Sequence, residues 1–83
     1  MKYLVKIEVS LKPGHSNPEG ETIARLLKEL GYKVQAVDVS KVYTVALEAP
    51  TLQHAKGKAE EMSKRLLANP TKDNYTINVE EQR

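Results

Sequence analysis

The sequence predicts a single α+β domain of two layers, with elements in the order β-α-β-β-α-β. Both helices should cover one face of the sheet, the ferredoxin-like or split-βαβ plan. Three observations carry that reading. Apolar residues alternate at a period of two over residues 3–11, 42–48 and 75–79, as in half-buried strands. They recur at three- and four-residue intervals over residues 23–30 and 52–66, as on one face of a helix. Strand, helix and strand then occur twice, over residues 3–39 and 42–79, an order that right-handed crossovers fold into this topology.

In the first strand Tyr3, Val5, Ile7, Val9 and Leu11 share one face, and Leu4, Lys6, Glu8 and Ser10 the other. Pro13 has no N–H to give a ladder, so the strand ends by Lys12, and Gly14 accepts the positive φ of a turn. Asn17 before Pro18 reads as an N-cap with proline at the first helical position. Ser16 with Glu19 offers a competing capping box one residue earlier. Ile23, Leu26, Leu27 and Leu30 make the apolar stripe of this helix, opposite the charged Glu21, Arg25 and Glu29. Gly31 suits the left-handed position that follows a helix.

A second strand is expected over residues 33–39, with Val37 and Val39 inward. Ser40-Lys41 would turn the chain into residues 42–48, although this is a poor pair for a two-residue hairpin. A bulge, or one longer bent strand, is the alternative. Pro50 ends that strand, and Thr51 caps a second helix. Its stripe (Leu52, Ala55, Ala59, Met62, Leu66) is narrow and partly alanine, and Gly57 lies off it. Pro70 disfavours helical geometry at Asn69, so the helix stops there. Tyr75, Ile77 and Val79 form the inward face of the last strand.

Eighty-three residues make one domain, 1–83, whose core alone barely exceeds the entropy of folding. The chain has no cysteine, which excludes disulfide and thiolate-metal staples, and its two histidines, His15 and His54, stand far apart. Oligomerisation remains. The surplus apolar residues Leu4, Val34, Ala36, Val42 and Ala46 predict a homodimer or tetramer built partly through sheet edges. Thirteen Lys and Arg against eleven Asp and Glu give a formal charge of +2, well mixed along the chain. That does not favour nucleic acid. Nor do the strand tyrosines, which are in phase with the buried valines and leave no stacking platform on the polar sheet face. No apolar stretch reaches membrane-spanning length and the first residues lack a signal-peptide core, so a soluble, cytoplasmic protein is expected. There is no phosphate loop ending in Gly-Lys-Ser/Thr and no nucleophile–base arrangement. Catalytic, cofactor and metal sites are therefore not expected on this chain, which reads as an interaction or regulatory module.

Two stretches narrow this further. Leu11-Lys12-Pro13-Gly14, followed by Asn17-Pro18-Glu19-Gly20 and Leu30-Gly31-Tyr32, resembles the opening signature of the PurS family, subunits of phosphoribosylformylglycinamidine synthase. Leu66-Leu67-Ala68-Asn69-Pro70, with Tyr75 beyond it, is similar to that family's closing signature. The sequence departs from the pattern in having Asn17 for an aspartate, Ser40 for a glycine, Thr71-Lys72 for a more apolar pair, and Asn74 for an acid. The resemblance implies a role in the fourth step of purine synthesis. There a glutaminase subunit releases ammonia and a large synthetase subunit, holding ATP and Mg, activates a formamide oxygen for displacement. It also implies a dimeric bridge that docks those two subunits and helps close the ammonia path. The residues expected to dock partners are Lys12, Pro13, Gly14, His15, Asn17, Lys41, Asn69 and Pro70. The alternative is a regulatory domain of the ACT type, which shares the plan and binds small ligands near a glycine-bearing loop such as that of Gly14.

Overall fold

Strand β1 (Lys2–Leu11) is the axis of a three-stranded antiparallel sheet of order β2-β1-β3, in a computed structural model that describes residues 1–82. Its alternation decides this central place, because Tyr3, Val5, Ile7 and Val9 need cover that only flanking strands and a helix can supply. Val5 and Ile7 are 0% exposed. Strand β2 (Lys41–Glu48) sets Val45 beside Val5 and Tyr43 beside Ile7. Strand β3 (Asp73–Gln82) sets Val79 and Ile77 there from the other side.

Helix α2 (Leu52–Met62) lies on this face, over β1 and β3. Ala55 and Ala59 are fully buried, and their small side chains let the helix axis approach the sheet. Thr51 caps it, its hydroxyl oxygen accepting from the His54 N–H at 3.2 Å. Tyr75 on β3 donates to Glu60 Oε2 at 2.7 Å, tying helix to strand. That hydrogen bond, more than burial or the Glu60 charge itself, raises the phenol above its ordinary 10.0. The helix runs on as a π-helical turn, Ser63–Leu67, in which the Ala68 N–H reaches back to the Ser63 carbonyl at 2.9 Å. Ser63 is fully buried but satisfied, donating to the Ala59 carbonyl at 2.8 Å. Gly57 faces open space, where a Cβ would meet nothing within 4 Å. Gly57→Ala should therefore stabilise by about 1 kcal/mol through helix propensity alone, raising the melting temperature by roughly 4–8 °C in a calorimetric scan.

The expected α+β class is present, here with an antiparallel sheet, and two corrections follow. Residues 33–39 are not a strand. The hairpin that would place them beside β2 needs positive φ at its turn, and among the described residues only Gly14 and Gly31 take one. Ser40 and Lys41 do not, so the chain enters β2 without doubling back. Val34 and Ala36 also share a face with Asp38, which weakens the alternation a half-buried strand requires.

The second correction concerns helix α1 (Pro18–Glu29), which does not lie on the sheet. It packs instead on the strap formed by residues 33–39, using its small face: Gly20 and Ala24 are buried, with Gly20 against the Val37 carbonyl. Half of the stripe read as inward is bare: Leu26 is 46% exposed and Leu30 74%, while Ile23 and Leu27 are half-buried. Helix and strap form an arm, which explains a radius of gyration of 16.3 Å, where a compact chain of this length has about 12 Å.

Candidate functional site

All eight residues singled out from the sequence lie in two loops and one strand start at one end of the sheet. Lys12 joins the loops. Its N–H donates to the Lys72 carbonyl at 2.7 Å, continuing the β1–β3 pairing past Leu11. Its Nζ donates to the Pro70 carbonyl at 2.9 Å. The first loop turns at Pro13-Gly14, where Gly14 has φ 91° and the His15 N–H donates to the Lys12 carbonyl at 3.3 Å. The His15 side chain is exposed.

Asn17 closes the loop in two directions. Its Oδ1 accepts from the Gly20 N–H at 3.0 Å, as an N-cap should, and its Nδ2 donates to the Val39 carbonyl at 3.0 Å. The second bond anchors the strap just before β2. The competing cap at Ser16 is not used: α1 begins at Pro18 with Asn17 as its cap. Asn17→Ala removes both bonds and should cost about 1 kcal/mol or somewhat more. A urea titration checks this through a lower midpoint at unchanged slope.

The second loop is held from within. The Asn69 carbonyl accepts from the Lys72 and Asp73 N–H groups at 3.3 and 2.8 Å, and its Oδ1 accepts from the Thr71 N–H at 2.9 Å. Asp73 Oδ2 in turn accepts from the Asn69 N–H at 2.9 Å. Asn69 is thus spent on shaping the turn, and the helix has already ended at Leu67, short of the expected stop. Lys72 and Asp73 are central to this end of the sheet and were not among the residues picked from the sequence. The signal available was Asp73 four residues after Asn69, a spacing at which a carboxylate can close a turn.

Lys41 opens β2 opposite Val9 and lines, with Asn17, Leu67, Lys72 and Asp73, a cleft of about 240 Å³ between the two loops. A second cleft of about 490 Å³ runs under Pro13 and His15 toward Asp38 and Ser40. Both signs of charge line each: Glu19, Lys41, Lys72 and Asp73 in the first, Lys12 and Asp38 in the second. Such a surface suits the polar rim of a protein contact better than a highly charged ligand. His54 lies elsewhere, its Nδ1 2.8 Å from the Thr51 hydroxyl at the start of α2. Among the described residues, no three His, Cys, Asp or Glu side chains are grouped to hold a metal ion.

The family model for PurS, phosphoribosylformylglycinamidine (FGAM) synthase, matches residues 4–81. The PurS subunit of that synthase from Methanothermobacter thermautotrophicus is 37% identical over 81 residues, 98% of this chain and 96% of its own. The corresponding subunit of Methanocaldococcus jannaschii is 40% identical over 79 residues, 94% and 95% of the two chains. Among solved structures, PurS of Thermus thermophilus has a TM-score of 0.89 at 33% identity, covering 100% of both chains. A chain in the structure of PurLQS from Thermotoga maritima has a TM-score of 0.88 at 26% identity, covering 96% of this chain and 99% of its own.

Proposed function

Since this chain belongs to the PurS family of phosphoribosylformylglycinamidine synthase subunits, we propose that it is the small bridging subunit of that complex. It docks the glutaminase subunit against the large synthetase subunit and supports passage of ammonia between them. The supporting observation is the likeness to a chain of PurLQS from Thermotoga maritima, whose name joins three subunits. On this reading the chemistry belongs to the other two. Glutamine is hydrolysed on one, ATP and Mg serve the other, and this chain contributes surface without catalytic residues. The work is cytoplasmic, and the bridge is a homodimer or a tetramer. Unpaired outer edges on both β2 and β3 support assembly through the sheet.

The docking surface is the loop end described above: Lys12, Pro13, Gly14, His15 and Asn17 from one side, Lys41, Asn69 and Pro70 from the other. Several of these, Lys12, Asn17 and Asn69 above all, also shape the loops that they would present. The test reconstitutes the complex with and without this chain and measures amidine formation from glutamine and from ammonia. Glutamine-dependent synthesis should need the chain, while ammonia-dependent synthesis persists largely without it. His15→Ala, at an exposed side chain, should weaken assembly with the melting temperature nearly unchanged. If omission alters neither reaction and calorimetry finds a free amino acid bound, the chain is a ligand-binding regulatory domain instead.

A further inference from the structure

The π-helical turn Ser63–Leu67 reverses what burial alone would choose. At about 100° per residue, an unbroken α-helix would set Leu66 within about 20° of Ala59, over the sheet, and Leu67 about 80° away. The wider turn, closed by the Ala68 N–H on the Ser63 carbonyl, carries Ser63, Leu67 and Ala68 inward instead. Ser63 is 0% exposed, while Leu66, at 83%, is the barest large apolar side chain among the described residues. The serine hydroxyl then needs the Ala59 carbonyl as its acceptor, and the leucine forgoes its burial. A single exposed leucine is ordinary on a protein surface. One that stands in water while a serine three residues away fills the core is not, and π-turns gather at functional positions.

The place of this leucine bears on its use. Lys64 and Arg65 precede it, both exposed, and neither forms an ion pair among the described residues. Leu67, the next residue, lines the cleft between the two loops together with Lys41 and Lys72. The turn is therefore continuous with the loop end already read as the docking surface, and it adds an apolar point flanked by positive charge.

We propose that Leu66 is the anchor of that docking surface, seated in an apolar pocket with a rim of carboxylates on another subunit of the synthase. This rests on the reading of the chain as the bridging subunit and names one contact that the bridge makes. The occupant is a different protein because a two-fold contact centred on Leu66 would set Lys64 and Arg65 of each copy against their own counterparts. Like charges brought together in this way oppose association, whereas an acidic rim pairs with both. A desolvated apolar centre within a charged, wetter margin is also the usual anatomy of a protein contact.

The chain has no cysteine, so Leu66→Cys accepts a single photoreactive maleimide. The labelled chain is mixed with purified synthetase and glutaminase subunits and irradiated, and a cross-link to one of them is expected. Leu66→Ala should weaken binding of that subunit about 10–100-fold, while Leu66→Met binds like the wild type. The melting temperature and sedimentation of the Leu66→Ala chain alone should not change, since the side chain is bare. Lys64→Glu with Arg65→Glu should also weaken binding, and added salt should lower the affinity of the wild type more than that of this variant. Full-strength binding by Leu66→Ala would overturn the anchor and leave the bridging reading intact. Cross-linking only between copies of this chain, or a lower melting temperature for Leu66→Ala, would overturn it as well, by assigning the leucine to the chain's own fold or self-contact. Wild-type chain that binds neither subunit would overturn both readings.

Discussion

Ile7→Ala should lower the melting temperature by more than about 10 °C. The side chain is fully buried in the central strand, flanked by Tyr43 on β2 and Ile77 on β3. Truncating a buried isoleucine costs about 2–5 kcal/mol, the upper end applying where neighbours cannot collapse into the void. Here they are poorly able to. The helix above contributes Ala55 and Ala59, whose methyl groups have no further reach, and the ladders fix the strands on both sides. Against a total stability of about 4–12 kcal/mol for a chain of this length, that loss is a large fraction. Ile7→Val, by comparison, should cost only about 0.5–1.5 kcal/mol. Thermal melts of the two variants side by side check the prediction. An Ile7→Ala chain that melts within a few degrees of the wild type would show that the sheet face is not the centre of stability.

Gly20→Ala should destabilise the arm although it improves helix propensity. Gly20 lies in the first turn of α1 without a positive φ, so propensity alone would make alanine stabilising by about 1 kcal/mol. Space decides the sign. A Cβ built there overlaps the Val37 carbonyl oxygen, which is backbone and cannot swing aside as a side chain can. Separating α1 from the strap means straining the Asn17–Val39 bond and opening the buried Ala24 contact. Overpacking of this kind costs about 1–3 kcal/mol and more where backbone must move. The loss should be local. Amide exchange should accelerate over residues 18–39 while β1 and β3 keep their protection, because α1 makes almost no contact with the sheet. A higher melting temperature would mean that the strap yields freely, and that the glycine at this position is not there for packing.

The parts of the molecule that depend on a few neighbouring residues were legible in the sequence. β1 declared itself by strict alternation from Tyr3 to Leu11, and its burial follows that alternation from Tyr3 to Val9. Asn17 and Thr51 cap the helices they precede, and Gly14 and Gly31 take the positive φ values foreseen for them. Both loop motifs could be read off as motifs, and their meeting through Lys12 and Pro70 follows once β1 and β3 pair.

What the sequence could not decide was which surface each apolar stripe would face. Ile23, Leu26, Leu27 and Leu30 mark one side of a helix whatever lies opposite, because periodicity records which side chains share a face and is silent about the neighbour. The buried side of α1 is instead set by Gly20 and Ala24, whose lack of bulk admits the strap backbone. Residues 33–39 have the composition of a strand, but a strand exists only where a partner offers its ladder. That offer depended on φ at Ser40 and Lys41, which long-range packing settles. By itself the sequence determined the β1 core, the caps and the loop motifs, since these rest on steric and hydrogen-bonding preferences within a few residues. Only the tertiary structure decided that α1 leaves the sheet and that the β2 half stays open, because those outcomes depend on contacts between segments distant in the chain.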